Sequence, residues 1–270
     1  MTTARVAVST PRRISLPTDW LPPAIVFVAV ILALEIGLRA FNVGAFVIPL
    51  PSAIAASIGE QWPTLSRGIA YTGGEAIGGL VVGLVLGTVA GLATAGWQSA
   101  RDTLLPIAIA ASTVPVIAFA PITLNWFGPE SIMPRLVIVA IMVFFPVMAN
   151  TIRGLTEVPP AALELMDSYA ASELETLRKV RVPNALPYWF TALRIAATLS
   201  VIGAVVGEFF GGPLYSLGIY ITLETGHSRY PTAWAAIVVA CALGIGLYVA
   251  AVVAERLAIP WYAARQSAVG

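Results

Sequence analysis

Long runs without any charged side chain alternate with short polar segments along this sequence. No Lys, Arg, Asp or Glu occurs in residues 76–100, 103–129, 136–152 and 230–254. A bilayer core about 30 Å thick is crossed by a helix of about 20 apolar residues, so each run predicts one span. Two further apolar segments complete the set: residues 21–40, which contain Glu35, and residues 188–211, which contain Arg194 and Glu208. The pattern predicts an all-α, polytopic membrane protein with about six transmembrane helices.

The composition agrees with this pattern and excludes several classes of protein. Hydrophobic residues make up 58% of the 270 residues and charged residues 11%, with a mean hydropathy of +0.86, whereas soluble proteins are about 25% charged. The single cysteine, Cys241, lies in the last predicted span and excludes a disulfide framework within the chain. A net charge of +1 without a basic patch does not predict nucleic-acid binding, and no cluster of His, Asp or Glu predicts a metal site.

The distribution of Lys and Arg predicts the orientation of the spans. With the N-terminus in the cytoplasm, eleven basic residues fall on the cytoplasmic side and four on the outer side. The outer four are Arg39, Arg67, Arg135 and Arg229. Because cytoplasmic loops carry the excess of Lys and Arg, we expect both termini inside the cell. The expected organisation is a cytoplasmic segment 1–20, a transmembrane domain 21–258 and a cytoplasmic tail 259–270.

Glycine recurs at every fourth position of the second span. The positions are Gly79, Gly83, Gly87 and Gly91. Such a ridge lets a neighbouring helix backbone approach closely, in a lipid environment that gives helices no hydrophobic reason to associate. We expect the ridge to pack against another helix of the same chain, and a seam between two copies is the alternative.

Proline is concentrated in the third predicted span. That span contains Pro106, Pro115 and Pro121, and the fourth span contains Pro146. Proline removes a backbone donor and kinks a helix, and the freed carbonyls are tolerated at membrane depth where protein or a water-filled cavity satisfies them. Two interpretations stay open: a broken helix that lines a pathway, and a kink that serves packing alone.

Three carboxylates lie at or near membrane depth, namely Glu35, Glu75 and Glu208. Ionisable groups at that depth are costly and tend to face the interior of a helix bundle. Glu75 precedes Gly79 by four positions, so it shares a helical face with the glycine ridge and is expected to face the interior. Glu75 and Glu208 are candidates to pair with Arg194 or to line a polar path. For Glu35 and Glu208, which lie near span ends, the membrane interface is the alternative.

One polar segment separates the fourth and fifth spans. Of the 15 basic and 14 acidic residues of the chain, nine lie in residues 153–181. Prolines at 159–160 open a short predicted helix, whose apolar side recurs at helical spacing as Ala162, Leu165, Met166 and Tyr169. Ser172 and Glu175 form a capping box that opens a second helix, which we expect Pro183 to end. An apolar stripe on a water-exposed helix indicates a surface that docks into a groove on a partner.

This segment resembles a motif of the permease subunits of ATP-binding-cassette (ABC) importers. The motif consists of Glu-Ala-Ala, three residues, Gly, nine residues, Ile, one residue and Leu-Pro. Its spacing fits this sequence throughout, at Glu164, Leu165, Met166, Ala170, Val180, Val182 and Pro183. The glutamate and the proline match in identity, and the other positions hold small or apolar replacements.

Further stretches extend the resemblance over roughly residues 49–261. Residues 125–128 are similar to the family's Leu-Trp-Phe-Gly. Similarity to the sulfonate, nitrate and taurine branch occurs in residues 144–151, 184–187, 193–196 and 202–211. Residues 74–79 and 255–257 resemble instead the branch that imports pyrimidine thiamine precursors or riboflavin.

The resemblance implies a fold, a function and partners. It implies the type I ABC importer transmembrane fold, with residues 152–187 as a cytoplasmic coupling loop seated in a separate dimer of ATPases. The residues implied in coupling are Glu164, Leu165, Met166, Tyr169, Ala170, Val180 and Pro183. It also implies an extracytoplasmic solute-binding protein, a second copy of the permease, surrounding lipid and a bacterial cell membrane. The implied solute is small and polar, either sulfonate-, nitrate- or taurine-like or pyrimidine- or riboflavin-like.

The sequence leaves ATP hydrolysis to the implied partner. It contains no Gly-x4-Gly-Lys-Ser/Thr phosphate loop, so neither enzymatic activity nor a cofactor is expected of this chain. An ion-coupled secondary transporter is the alternative function, but it needs intramembrane coupling groups and usually repeated halves. The sequence offers Glu75 as one candidate and no visible repeat. A membrane-embedded enzyme is a third possibility, for which lone His227 provides no catalytic cluster.

Overall fold

The computed structural model describes residues 21–260, which form eleven α-helices and contain no β-strand. The proposed cytoplasmic segment 1–20 and residues 261–270 of the proposed tail lie outside the described residues. The helices are α1 (Leu21–Ala40), α2 (Pro51–Glu60), α3 (Trp62–Ala95), α4 (Gln98–Ala111), α5 (Ala120–Phe127), α6 (Met133–Thr156), α7 (Pro160–Ser168), α8 (Glu173–Thr176), α9 (Val182–Glu208), α10 (Leu217–Gly226) and α11 (Tyr230–Ala258). A 3-10 turn, Val116–Phe119, precedes α5, and a π turn, Leu177–Arg181, joins α8 to α9.

Five helices of the described chain are long and apolar enough to cross a bilayer. They are α1, α3, α6, α9 with the turns that precede it, and α11. A sixth candidate span is formed by Arg101–Ala111 and Val116–Phe127, which are bent by 81° where the helix is broken. The predicted all-helical fold with about six spans is therefore confirmed.

The glycine ridge of α3 packs against α6 of the same chain. Every fourth residue of one helix meets every fourth residue of the other, in the pairs Gly79–Val139, Gly83–Val143, Gly87–Val147 and Gly91–Thr151. A Cβ atom added at Gly83 would lie 2.7 Å from Val143 Cβ and 2.8 Å from the carbonyl oxygen of Ala140. Only glycine permits so close an approach, and because both series ascend together the two helices run parallel. The prediction of packing within the chain is confirmed.

A third helix, α9, completes the core around this seam. Its packing face is built from small residues, including Ala192, Ala196, Gly203 and Ala204, which lie against the buried valines of α6. Trp189 Nε1 donates a hydrogen bond of 2.9 Å to Thr88 Oγ1 of α3. Helices α3, α6 and α9 thus form the tightly packed centre of the bundle.

Two short helices lie beside this centre. The side chains of α10 form a second apolar cluster with α11 and the start of α3, and Ile54 and Ile58 of α2 pack against that cluster. The sequence pattern did not predict α10, because its ten residues are too few to cross a bilayer and were included in an outer loop. By contrast, α1 is exposed along almost its whole length, with Leu38 as its only buried residue.

The break in the third span coincides with its prolines. Pro106 lies inside α4, Pro115 directly precedes the 3-10 turn, and Pro121 lies in the first turn of α5. Ser112 and Thr113 turn their hydroxyl groups back onto the carbonyls of Ile109 and Ala110, which are acceptors near the break. The third span is therefore broken at its prolines, and both of its halves contact α6.

Candidate functional site

The polar segment forms a helical loop between α6 and α9, which we call the 152–187 loop. Its first helix, α7, starts at Pro160 as expected for proline in a first turn. It ends in a Schellman turn, where Ala170 N donates to Asp167 O at 2.9 Å and Ala171 N donates to Met166 O at 3.0 Å. Ala170 takes the left-handed conformation of that turn, with φ of 49°. This position is glycine in the family motif.

The predicted capping box opens the second helix. Ser172 Oγ accepts a hydrogen bond of 3.3 Å from Glu175 N, and Glu175 Oε2 accepts one of 3.0 Å from Ser172 N. Lys179 Nζ lies 3.3 Å from Glu175 Oε1, one turn further along, as the favourable spacing predicted.

The expectation that Pro183 ends this helix is wrong. The helix runs without interruption from Glu173 to Glu208. The π turn Leu177–Arg181 directly precedes the proline, and it shifts the backbone hydrogen bonds where the proline ring and its missing N–H would otherwise break the helix. The loop is therefore continuous with the long helix α9.

One face of α7 presents apolar side chains to the outside. Leu165 is 55% exposed and Tyr169 is 75% exposed, and the two are four positions apart on the same side. Ala162 and Met166, the other members of the predicted stripe, are half-buried. The exposed part of the stripe is thus narrower than predicted. Glu164 lies beside it and is also exposed.

The remaining residues of the motif lie further along the loop. Val180 is half-buried within the π turn, and Pro183 is exposed in the first turn of α9. A cavity of about 760 Å³ separates the loop from the ends of α3 and α6. Its lining includes Leu92, Leu155, Leu163, Asp167, Leu174 and Arg181.

Both ends of the 152–187 loop are held together at its base. Asn184 Nδ2 donates hydrogen bonds to the carbonyls of Gly154, at 2.8 Å, and Glu157, at 3.1 Å. Tyr188 Oη donates to Glu157 Oε2 at 3.3 Å. Gly154 itself leaves no room for a side chain, since an added Cβ would lie 2.7 Å from Ala185 Cα. This clamp fixes where the chain leaves α6 and where it enters α9.

A buried polar network occupies the opposite end of the bundle. Glu75 and Arg135 are both fully buried, and Arg135 Nε donates a 2.5 Å hydrogen bond to Glu75 Oε1. Arg135 Nη1 also donates to the carbonyls of Gly211, at 2.9 Å, and Pro129, at 3.3 Å. Glu75 and Arg135 lie four residues before Gly79 and Val139. The ion pair therefore follows the same four-residue repeat by which α3 packs against α6.

Glu208 belongs to the same network and anchors α10. Its two carboxylate oxygens accept hydrogen bonds from Thr72 Oγ1, at 2.7 Å, and from Gly218 N, at 2.6 Å. Thr72 Oγ1 accepts a bond of 3.1 Å from Leu217 N. Two free amide groups at the start of α10 are thereby satisfied across the bundle. Glu208 is the last residue of α9, near a span end as predicted, and its side chain is fully buried among the helices.

Arg194 does not join this network. Its Nη1 atom lies 3.4 Å from Glu255 Oε2, which ties α9 to α11. Of the two alternatives for Glu75 and Glu208, pairing with Arg194 is therefore wrong. Glu35, the third carboxylate, accepts hydrogen bonds from Arg39 Nε at 2.8 Å and from Ser52 N at 3.0 Å, between α1 and α2.

The sequence pattern does not predict two groups that hold these regions together. The pattern predicts an outer loop at Arg135, which lies at the edge of an apolar run, but Arg135 is the third residue of α6 and has no exposed surface. Only the α3–α6 register identifies its partner. The family similarity of residues 184–187 does not predict that Asn184 holds the two ends of the loop together. Within residues 21–260, no group of three or more His, Cys, Asp or Glu could hold a metal ion.

Comparison with known proteins agrees with this architecture. The riboflavin transport system permease protein RibX of Chloroflexus aurantiacus is 30% identical over 224 residues, which cover 81% of this chain and 82% of that protein. The formylaminopyrimidine transport permease protein ThiX of Halalkalibacterium halodurans is 33% identical over 183 residues, 68% of this chain and 72% of that protein.

A solved structure shares the fold. A chain from the crystal structure of an amino acid ABC transporter with histidines superposes with a TM-score of 0.61 at 14% identity, over 74% of this chain and 97% of that chain. The family described as the binding-protein-dependent transport system inner membrane component matches residues 79–258. With two thirds of its length matched and relatives similar over most of theirs, this chain belongs to the binding-protein-dependent transport system inner membrane component family.

Proposed function

We propose that this ABC importer permease carries a small flat solute across a bacterial cell membrane and is driven by a separate ATPase that binds the 152–187 loop. The observation that carries the proposal is the exposed apolar face of α7, formed by Leu165 and Tyr169. Large apolar side chains on a short exposed helix are characteristic of a helix that lies in a groove of a partner. The ATPase hydrolyses ATP, and this chain provides no catalytic group.

The loop is built to transmit movement rather than to absorb it. The Asn184 clamp fixes its base, the Schellman turn and the capping box fix the angle between α7 and α8, and α8 continues into α9 through the π turn. A displacement of α7 by closing ATPases therefore reaches α9, which packs against α3 and α6. Of the other motif residues proposed for coupling, Glu164, Ala170 and Pro183 are exposed on the loop, and Met166 and Val180 are half-buried beneath its surface.

The charge distribution supports the orientation that this function requires. The 152–187 loop carries four basic residues, and the positive-inside rule assigns it, with both chain termini, to the cytoplasm. The end that holds Glu75 and Arg135 is then the extracytoplasmic end, where a solute-binding protein delivers the solute. Two copies of this chain, bound to two ATPases, form the complete importer.

The groove beside the broken span supports an uncharged solute. It has a volume of about 480 Å³ and is lined by apolar side chains of α3, α6 and the break, among them Val82, Val114, Phe119, Phe144 and Phe145. No charged residue lines it, so nothing there would balance the charge of a sulfonate or nitrate. Of the two solute classes that the sequence left open, we therefore propose the flat pyrimidine- or riboflavin-like class, with the broken span as a wall of the pathway.

The membrane carboxylates do not favour an ion-coupled secondary transporter. Glu75 is paired with Arg135, and Glu208 accepts bonds from Thr72 and from the backbone of α10. Both are fully buried and serve to hold helices together. Coupling ions would instead need carboxylates with free access to a pathway.

Two leucines of the same loop provide a matched test of ATPase binding. Leu165 is 55% exposed on α7 and Leu174 is 54% exposed on α8. Leu165→Asp places an unpaired charge in an apolar interface, and we expect at least a tenfold loss of affinity for the ATPase, about 1.4 kcal/mol. Leu174→Asp should bind as the parent does.

The measurement is co-purification of the ATPase with each variant from membranes, followed by titration in detergent. Insertion is checked by the amount of full-length permease in the membrane fraction. Normal ATPase binding by Leu165→Asp, or equal loss with Leu174→Asp, would contradict a role of the α7 face.

A further inference from the structure

An unused cluster of one arginine and two tyrosines lies at the end of the bundle opposite the 152–187 loop. Arg67, Tyr71 and Tyr215 surround a hollow of about 430 Å³. Arg67 and Tyr71 are four positions apart on one face of α3, and Tyr215 comes from the segment that precedes α10. The two tyrosine rings meet edge to face, with centroids 5.2 Å apart and planes at 84°. Two aromatic surfaces thus form a corner beside a guanidinium group.

The polar groups of this corner have no partner within residues 21–260. The guanidinium of Arg67 makes no ion pair or hydrogen bond there, and the hydroxyl groups of both tyrosines make no hydrogen bond. The neighbouring arginines of the same end differ, because Arg135 is paired with Glu75 and Arg39 with Glu35. Arg67 and Tyr215 are exposed and Tyr71 is half-buried, so their polar groups face outward around one hollow, where a polar ligand can reach them.

The corner is held in place by the buried network beneath it. A Cβ added to Gly68 would lie 3.0 Å from the carbonyl oxygen of Tyr215, so the segment before α10 rests directly on α3. Two residues further on, Leu217 N is fixed to Thr72 Oγ1 at 3.1 Å. The rings are therefore positioned before any ligand arrives, which reduces the entropy lost on binding.

We propose that Arg67, Tyr71 and Tyr215 form a site that binds a flat heteroaromatic ring of the solute before it passes into the bundle. This inference rests on the proposed function and names the group that is recognised. A heteroaromatic ring stacks against tyrosine, and a guanidinium binds its face or donates to a ring carbonyl. An aliphatic sulfonate has no ring for the aromatic corner, although its charge would suit Arg67.

Riboflavin is a suitable probe, because it is flat, uncharged and fluorescent, and taurine is the contrasting probe. The full-length permease is placed in nanodiscs of zwitterionic lipid, and binding is followed by quenching of riboflavin fluorescence. We expect saturable binding, weakened about tenfold by Arg67→Ala or Tyr215→Ala. Tyr215→Phe, which keeps the ring, should lose less, and taurine should not compete.

Two matched controls address non-specific effects. Tyr248→Ala removes an exposed tyrosine from α11, and Arg256→Ala removes an exposed arginine from the other end of the bundle. Both variants should bind riboflavin as the parent does. Thermal unfolding of each variant, measured in the same nanodiscs, separates loss of the site from loss of the fold.

Several results would overturn the proposal. These are absence of riboflavin binding by the parent, unchanged binding in Arg67→Ala and Tyr215→Ala, equal loss in the two controls, and competition by taurine. If Arg67→Ala and Tyr215→Ala change only the affinity of the permease for anionic lipid, the cluster is a membrane anchor. That result would also overturn the proposal. Because binding is measured on the permease itself, these results are independent of ATPase co-purification, which tests the proposed function.

Discussion

The two ends of the helix bundle use charged residues in opposite ways. At one end, Glu75, Arg135 and Glu208 are fully buried. Arg135 is paired with Glu75, and Glu208 accepts a hydrogen bond from the backbone at the start of α10. At the other end, the charges of the 152–187 loop face outward, as in the exposed pair Glu175–Lys179. The buried end joins α3, α6, α9 and α10 into one unit, whereas the exposed end leaves a surface free for a partner.

The two ends differ in how much stability is lost when one partner of an ion pair is removed. A buried ion pair is lost at high cost once one partner is removed, because the other charge stays without water. An exposed pair is worth little, because water replaces the lost partner. We therefore expect the same kind of substitution to have very different effects at the two ends.

The largest effect is expected from removing the buried arginine. Arg135→Met leaves the carboxylate of Glu75 buried without its partner, and should lower the free energy of unfolding by about 3–5 kcal/mol. The contrasting variant Lys179→Met breaks the exposed Glu175–Lys179 pair at the other end of the bundle and should leave the unfolding temperature close to that of the parent. Thermal unfolding in detergent measures both.

A double variant sharpens this comparison. Glu75→Leu combined with Arg135→Met removes both charges and should recover part of the stability lost in Arg135→Met alone. If Arg135→Met unfolds at the temperature of the parent, the buried pair does not hold the helices together and the contrast between the two ends fails.

The glycine seam between the two ends provides the next largest effect. Gly83→Ala would place a Cβ 2.8 Å from the backbone oxygen of Ala140, so α3 and α6 must move apart. Overpacking of this kind costs about 1–3 kcal/mol. Gly74→Ala on the same helix meets no atom within 4 Å and should be neutral or slightly stabilising.

These two glycines are compared by the midpoint of thermal unfolding and by the amount of folded protein. Equal stability of both variants would mean that the seam is loose enough to admit a methyl group. It would then transmit movement poorly from the loop to the buried network.

At the exposed end, loss of the capping box should have a local effect of about 1 kcal/mol. Ser172→Ala removes the acceptor for Glu175 N at the start of α8. Hydrogen exchange should accelerate at the amides of α8, while the unfolding temperature of the bundle stays close to that of the parent. A global loss of stability would show that the loop is not separable from the buried end.

The smallest effect is expected from Ala170→Gly, and it is favourable. Ala170 has φ of 49°, a conformation that costs alanine about 1 kcal/mol or more and glycine very little. The greater conformational entropy of glycine in the unfolded chain offsets part of this gain. The net stabilisation of the loop should therefore be about 0.5–1 kcal/mol. Uptake should be preserved. Loss of uptake with normal protein levels would show that the turn needs an alanine side chain.

Much of the exposed end could be predicted from the sequence because its structure is local. Proline at the start of α7, the Ser172–Glu175 box and the Glu175–Lys179 pair each involve residues within four positions of one another. The motif spacing then related these elements to a family. The π turn before Pro183 could not be predicted, since continuity of the helix depends on how α9 packs against α3 and α6.

The sequence by itself determined the helical class, the six apolar segments, the glycine ridge and the local structure of the polar loop, because these depend on composition and on short periodicity. Only the tertiary structure decided that Glu75 is paired with Arg135 and that Arg194 lies with Glu255. Partners 60 residues apart are set by the register of two packed helices. That register is set by the packing of the α3 glycines against the α6 valines. It depends on complementary shape, which a local sequence pattern does not predict.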